Sequence, residues 1–382
     1  MNWNERYTYN FPTRIRFGKD VIQELGPFLK EQGLARPLIV TDPALAGLTL
    51  FKSIVEDLKR VSLQTEVYSG IHKNPVKSDV LGGVGVFKKT SRDSLIGIGG
   101  GASLDVCRAI ALMAHHPGDL FNYEDSKGGE HLIRNEIPYF VTVPTTAGTG
   151  SEVGRSTVIS DDATHQKKIM FSPRLMAQAV FADPLLTMDL PPMITAATGM
   201  DALTHHIEAY LSKGFHPICD GIAIEGIRLV AESLEPAVRK PDLESRSKMM
   251  IAALMGGIAF QKGLGVVHST AHPLSTLFDL HHGLANAIMI PHGVRFNANV
   301  AKDRLIAIAR VLKLKDETPN GVADYLKELV RRIHLPSSLS SQGVKASDIE
   351  RLSELAFEDV CHACNPKPVT RDDFRMIYRE AL

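Results

Sequence analysis

Three prolines, Pro184, Pro191 and Pro192, stand where the chain changes its hydrophobic period. Before them, short apolar, β-branched runs alternate with helical patterns. Residues 37–42 read as a buried strand ending in a polar turn, 51–60 as a helix and 64–68 as a second strand. A third strand is expected at 94–98, a helix at 105–114, and a strand at 138–143 stopped by Pro144. Such alternation predicts a parallel sheet covered on both faces. After the prolines helix follows helix, over 195–212, 218–234, 244–260, 302–313, 321–334 and 347–358. The chain therefore reads as an α/β domain over residues 1–187 followed by an all-α domain over 188–382. Open α/β sheets hold ligands at the carboxyl ends of their strands, and that edge is expected to face the helical half.

Lys and Arg together number 43, as do Asp and Glu, for a formal net charge of zero. The balance gives no electrostatic argument for nucleic acid or an anionic membrane, and neither partner is expected. No apolar run approaches the roughly 18 residues of a membrane span. Residues 1–7 lack the apolar core of a signal peptide. Four Cys make no disulfide framework in a chain of 382 residues. Cys361 and Cys364 have C-x-x-C spacing, but Cys107 and Cys219 supply no second pair, which argues against a structural zinc. A reduced, cytoplasmic setting is expected.

Two segments concentrate possible metal ligands. Asp201 and His205 are spaced i,i+4, which on a helix puts carboxylate and imidazole on one face. His268 and His282 lie downstream, in GVVHSTAHP and LHHG. Three imidazoles and one carboxylate suit a divalent first-row metal, Fe²⁺ or Zn²⁺. With one position open, such a metal polarises a substrate oxygen. A single His among 15 is more often a surface or hydrogen-bonded core residue. Five of them, however, at 268, 272, 281, 282 and 292, fall within 25 residues of a largely apolar segment. Burying that many without a metal or a catalytic use is costly.

Gly99, Gly100, Gly101, Ala102 and Ser103 follow a strand and open a helix. Glycines there admit a pyrophosphate to backbone N–H groups at a helix N-terminus, although the triplet is not a G-x-G-x-x-G fingerprint and also suits a plain tight turn. Thr145–Ser151 is a second strand-end loop, rich in hydroxyls and glycine, which fits ribose or phosphate contacts or simply helix capping. Asp42 closes the first strand. Its carboxylate either accepts bonds from an adenosine ribose, favouring NAD(H) over NADP(H), or caps the helix that Pro43 begins.

These residues fall into four motifs: GGGASLD at 99–105, PTTAGT at 144–149, AATGMDALTH at 196–205, and GLGVVHSTAHP at 263–273 running on to HGLAN at 282–286. Through them the chain resembles, over essentially its whole length, the iron-containing (group III) alcohol dehydrogenases of the dehydroquinate synthase-like fold. The resemblance implies an N-terminal nucleotide-binding α/β domain, an all-α C-terminal domain and an active site in the cleft between them. It implies Asp201, His205, His268 and His282 as metal ligands, with Fe²⁺ the usual metal. It places His272 beside the nicotinamide without binding metal, as a plausible proton relay. It assigns Asp42, Asn74, Gly99–Ser103, Thr145, Thr146, Thr149 and Lys168 to the dinucleotide. Without it, Lys168 reads as a solvated Lys in the polar run 161–168. Family members form dimers or larger assemblies by pairing N-terminal strands, and the alternating residues 11–17 read as such an edge strand.

Two departures from the family pattern stand out. Arg108 occupies a position where Lys is common. The segment after Phe260 is one residue short and carries Lys262, six residues before a ligand. The expected activity is metal-dependent hydride transfer between NAD(H) and a small primary alcohol or diol and its aldehyde. Lys262, together with Arg155, raises the alternative of a short hydroxy acid such as 4-hydroxybutyrate, with Phe260 and Lys262 lining the substrate site. Lys262 also reads as an exposed helix-end residue. A hydroxyacid–oxoacid transhydrogenase and a lyase of the same fold are further variants.

Overall fold

The computed structural model describes the backbone of residues 7–11 and 13–382, and side chains from residue 13 onward. The chain divides into two compact units, Met1–Thr146 with Ser151–Asp189, and Ala147–Gly150 with Leu190–Leu382.

In the first unit the strands are β1 (Tyr7–Phe11), β2 (Thr13–Phe17), β3 (Pro37–Val40), β4 (Glu66–Tyr68), β5 (Ser94–Gly99), β6 (Tyr139–Pro144), β7 (Ser156–Ser160), β8 (Lys167–Phe171) and β9 (Ala179–Ala182). The helices are α1 (Leu25–Glu31), α2 (Pro43–Gly47), α3 (Thr49–Arg60), α4 (Lys77–Lys89) and α5 (Gly101–His115). Among the described residues, one sheet runs β1-β2-β9-β6-β5-β3-β4, parallel throughout except for the β1–β2 pair. Its central strands are buried on both faces. Leu38, Val40, Leu95 and Phe140 enter one apolar cluster with Val80 and Ile110, while Ile39, Ile96, Val141 and Val143 enter another with Phe28, Ile54 and Leu58. The period-2 alternation of strand side chains thus feeds two helical layers from one run of apolar residues.

Strand order places a topological switch between β3 and β5. The chain leaves β3 for β4 on one side and returns to β5 on the other. The carboxyl ends of those two strands lead into Asp42 and Gly99, where crevices of doubly wound sheets bind ligands. Gly97 in β5 lets α5 approach closely, since an added Cβ would stand 3.0 Å from Cβ of Cys107.

The structure departs from expectation in several places. Residues 13–17 form β2, an inner strand between β1 and β9, so β1 rather than β2 is outermost. Pro12, inside the expected edge strand, lies outside the described residues. The polar run at 161–168 closes an antiparallel β7–β8 hairpin with Lys168 opposite Ile159. α5 begins four residues earlier than its apolar pattern, because Gly101–Leu104 open it without an amphipathic signal.

The second unit is helical: α6 (Pro192–Leu211), α7 (Pro217–Arg239), α8 (Leu243–Ala259), α9 (Val266–Phe278), α10 (His282–Asn297), α11 (Lys302–Val311), α12 (Pro319–Arg332), α13 (Ile349–Glu358) and α14 (Arg371–Ala381). α9 and α10 carry Pro273 and Pro291 internally, which masked both helices in the sequence. Helix α6 packs against α7, α8 and α10 and is buried almost all round. Small residues allow this. A Cβ at Gly226 would meet the His206 ring at 2.0 Å, and one at Gly283 the Ala197 carbonyl oxygen at 2.1 Å. Among the described residues no single helix is long and apolar enough to cross a membrane.

Candidate metal centre and nucleotide loops

Asp201 and His205 project from one face of α6, His268 from α9, and His282 from the first turn of α10. Their donor atoms converge. Nε2 of His282, His205 and His268 lie 3.5, 3.7 and 3.9 Å from Oδ1 of Asp201. Ligand bonds of about 2.1 Å would set tetrahedral donors about 3.4 Å apart, so each imidazole stands near ligand spacing from Asp201, and the Asp201, His205 and His268 donors lie within 4.8 Å of one another. Asp201 and His268 are each 2 % exposed at the side chain, and His205 6 %.

Partners aim the donors inward. Glu208, one turn past His205 on α6, accepts from Nδ1 of His268 at 2.5 Å and from the backbone N–H of Val267 at 2.7 Å. That bond puts the His268 hydrogen on Nδ1 and leaves the Nε2 lone pair facing Asp201. Burial lowers the His268 pKa, but the Glu208 carboxylate outweighs it and the net shift is upward. His205 goes the other way: burial lowers its pKa to about 4, so it is a neutral imidazole. Asn286 on α10 donates Nδ2 to Asp201 Oδ1 at 2.8 Å and lies 3.2 Å from His282 Nε2 and 3.3 Å from His268 Nε2. Its own Oδ1 is buried without a hydrogen-bond partner. A spot ringed by imidazole nitrogens, one carboxylate and an amide whose oxygen is left unpartnered fits a cation.

His272 stacks on His282 at 5.2 Å between ring centroids, and its Nδ1 stands 2.7 Å from Oδ2 of Asp359. Ser269 Oγ and the Cys361 backbone N–H donate to the other carboxylate oxygen, at 2.7 and 2.8 Å. Burial alone would raise the Asp359 pKa, but the His272 ring and these donors hold it well below the usual carboxylate range. Asp359, Glu208 and Asn286 were not singled out in the sequence.

Phe260 lies beside this cluster, its ring 5.1 Å from that of His205. Lys262 does not present itself to a substrate. Its side chain is fully buried, and its Nζ donates to Asp220 Oδ1 at 2.5 Å and to the Tyr210 carbonyl at 3.1 Å. Arg304 binds the other Asp220 oxygen at 3.0 Å. A substrate carboxylate would have to break this pair, so both the exposed helix-end reading and the carboxylate reading of Lys262 give way to an internal strut. Arg155 sits over the Phe171 ring, 5.4 Å from its centroid.

In the first unit, Gly100 caps α5, and Gly99 adopts φ 148°, a left-handed-side conformation that favours glycine. An added Cβ at Gly99 would come within 2.5 Å of Ser103 Oγ, so the loop turns tightly into the start of α5. Thr145 N donates to the Gly99 carbonyl at 3.0 Å, and Thr146 stands against Gly100. Asp42 is the cap of α2, its Oδ1 accepting from Leu45 N at 2.9 Å, while Oδ2 stands 3.5 Å from Ser103 Oγ. Asn74 precedes a β-bridge between Val76 and Ser160 of the hairpin. On that hairpin Lys168 Nζ lies 3.4 Å from Glu124 Oε1, so it is ion-paired rather than simply solvated. Thr149 belongs to the short segment that groups with the helical unit. Arg108, fully buried, binds Leu175 O, Asp105 Oδ1, Ser151 Oγ and Ser156 O. A planar five-donor fork can bind that many acceptors where an ammonium cannot.

Known proteins resemble this chain in sequence and fold. Residues 12–184 match the family model of iron-containing alcohol dehydrogenase, and residues 195–382 that of the Fe-containing alcohol dehydrogenase family, C-terminal. The chain is 35% identical to the NAD-dependent methanol dehydrogenase of Bacillus methanolicus, covering 97% of this chain and 98% of that one. It is 36% identical to the 4-hydroxybutyrate dehydrogenase of Cupriavidus necator, covering 92% and 93%. A solved structure of 1,3-propanediol oxidoreductase superposes with a TM-score of 0.93 at 32% identity over 99% of both chains. With the two family models together spanning residues 12–184 and 195–382 and the chain superposing on a solved relative over almost its whole length, the chain belongs to the iron-containing alcohol dehydrogenases and is an oxidoreductase.

Proposed function

We propose that this protein is an NAD-dependent alcohol dehydrogenase in which Asp201, His205, His268 and His282 hold a divalent metal, with a small primary alcohol or diol and its aldehyde as substrate pair. The observation that carries this reading is the convergence of one carboxylate oxygen and three imidazole Nε2 atoms within 3.9 Å of that oxygen. Fe²⁺ is the family's metal, and the same donors accept Zn²⁺. When bound, the metal supplies Lewis-acid polarisation of a substrate oxygen and NAD supplies the hydride acceptor.

The chain's own residues do the rest. The quartet carries a single formal negative charge, so the loaded site stays electropositive toward an oxygen ligand. Glu208 fixes the His268 ring, and Asp359 fixes His272 with its hydrogen on Nδ1. His272 Nε2 is thereby an acceptor, suited to take up the alcohol proton directly or through a hydroxyl relay. The N–H groups of Gly101, Ala102 and Ser103 open α5 and suit a pyrophosphate. Asp42 Oδ2 suits a ribose diol and disfavours a 2′-phosphate. Thr145, Thr146, Thr149, Asn74 and Lys168 complete the dinucleotide contacts.

An uncharged substrate is favoured because Lys262 is spent on Asp220 and Tyr210. The division of labour puts dinucleotide binding in residues 1–187 and metal and substrate binding in 188–382. We place the enzyme in the cytoplasm as a homo-oligomer assembled through the outer edge at β1. The test is NADH formation by anaerobically prepared, Fe²⁺-loaded protein over alcohols, diols and ω-hydroxy acids, with a chelated control. Chelator-sensitive turnover of alcohols or diols is expected. Turnover confined to hydroxy acids would overturn the substrate reading, and none with any compound would overturn the activity.

A further inference from the structure

Beside the quartet lies a second group of unlike donors. One ligand atom each from His272, Asp359 and Cys361 fall within 4.8 Å of one another. They come from α9 and from the loop that follows α13, and the group is partly open, with His272 24 % and Asp359 16 % exposed at the side chain. Asp359 is held as a carboxylate by three donors, and Cys361 is anchored to it through its backbone N–H. Cys364, the other half of the C-x-x-C spacing, turns elsewhere: its sulfur packs on Gly263, where an added Cβ would come within 2.7 Å of it.

We propose that His272, Asp359 and Cys361 form a second, thiophilic cation site that takes Zn²⁺ and, by capturing His272, inhibits the enzyme. Nitrogen, oxygen and sulfur donors in one group select Zn²⁺, Cd²⁺ or Co²⁺ over harder ions. Three protein donors leave a fourth position to solvent. Burial and the Asp359 carboxylate push the Cys361 thiol well above its ordinary range, so by itself it is a poor nucleophile. A coordinated thiol is deprotonated by the ion's own charge. Binding therefore breaks the S–H bond, forms a metal–sulfur bond and releases one proton to solvent, with no electron transfer. His272 binds as a neutral imidazole through Nδ1, its one hydrogen now on Nε2. That is the reverse of the tautomer Asp359 selects, and it removes the Nε2 acceptor.

The inhibition rests on the proton role proposed for His272, whereas the coordination does not, and the tests separate them. X-ray absorption at the zinc edge of wild-type protein loaded with two equivalents is expected to show a sulfur shell at about 2.3 Å. The quartet contains no sulfur, so a spectrum of nitrogen and oxygen scatterers alone overturns the site. With Co²⁺, a thiolate-to-metal charge-transfer band should appear, vanish in Cys361→Ser and persist in Cys364→Ser. A band that survives Cys361→Ser, or is lost in Cys364→Ser, also overturns it. Fe²⁺-loaded Cys361→Ser should need about tenfold more Zn²⁺ for half-inhibition than wild type. Equal sensitivity with the sulfur shell present would leave the site standing and overturn its inhibitory role.

Discussion

Glu208 and His268 share a hydrogen across 2.5 Å, and the same carboxylate accepts the backbone N–H of Val267 at the start of α9. One side chain on α6 thus fixes both the position of α9 and the tautomer of a ligand it carries. Glu208→Gln offers an amide where the carboxylate stood and can present an N–H to Nδ1. It is expected to lower metal affinity by about 10- to 100-fold while leaving the helical fold intact. Competition with a chromophoric chelator measures this. Unchanged affinity would mean that His268 needs no carboxylate to aim it.

Gly283 sets how closely α10 approaches α6. A Cβ there would stand 2.1 Å from the Ala197 carbonyl oxygen and 3.3 Å from Cβ of Asp201. Gly283→Ala must therefore push away the helix turn that carries His282. We expect a loss of about 1–3 kcal/mol in stability and a separate fall in metal content. Gly221→Ala on α7, where nothing stands within 4 Å, is the control and should be neutral or slightly stabilising. Thermal unfolding of the apo-proteins and metal analysis after dialysis distinguish the two effects.

Much of this was legible in sequence because its signals are local. Asp201 and His205 declare themselves by i,i+4 spacing, and the glycine loop by its place between a strand and a helix. Glu208 was legible in principle, lying i+3 from His205 on the same helix face. Asp359 was not: it meets His272 across 87 positions, and no local pattern links them. The same holds for Lys262, whose partner Asp220 lies 42 positions away. Pro273 and Pro291 hid α9 and α10, since the surrounding helices supply the packing that lets an internal proline stand. The β7–β8 hairpin was hidden because its strands are short and mix polar with apolar residues, with Lys167 and Lys168 opening β8.

Lys262→Met retains the apolar stem and removes the ammonium. Asp220 keeps Arg304 at 3.0 Å, so the cost should be moderate, about 1–3 kcal/mol. Because Lys262 is an internal strut, the ratio of kcat/KM for a diol to that for an ω-hydroxy acid is expected to be unchanged. A selective loss on the hydroxy acid would restore the carboxylate-binding role.

Asp42 serves two masters, capping α2 with Oδ1 and facing Ser103 with Oδ2. Asp42→Ser keeps a capping oxygen but removes the charge. NADP⁺ should then gain on NAD⁺ in kcat/KM by about tenfold or more, the repulsion of a 2′-phosphate being relieved. Asp42→Ala should show the same shift in preference plus about 1 kcal/mol of lost stability from the missing cap. An unchanged cofactor ratio in both variants would place the discrimination elsewhere.

Glu152 gives the first unit a pH signature. Its carboxyl is buried, Oε1 has no hydrogen-bond partner, and burial raises its pKa to about 7, against the partial relief of Arg108. The ordinary value is 4.5, so between the two the folded state holds a proton that the unfolded state has lost. Stability from this group is complete below about pH 4.5, falls as pH rises, and levels off above about pH 7. The full shift corresponds to at most about 3–4 kcal/mol. Glu152→Gln cannot ionise, and it is expected to flatten this part of the pH–stability curve and to be the more stable protein at pH 8. Denaturant unfolding of the apo-protein at pH 5 and pH 8 tests the sign. Parallel curves for the two proteins would show that Glu152 finds a compensating partner when it ionises.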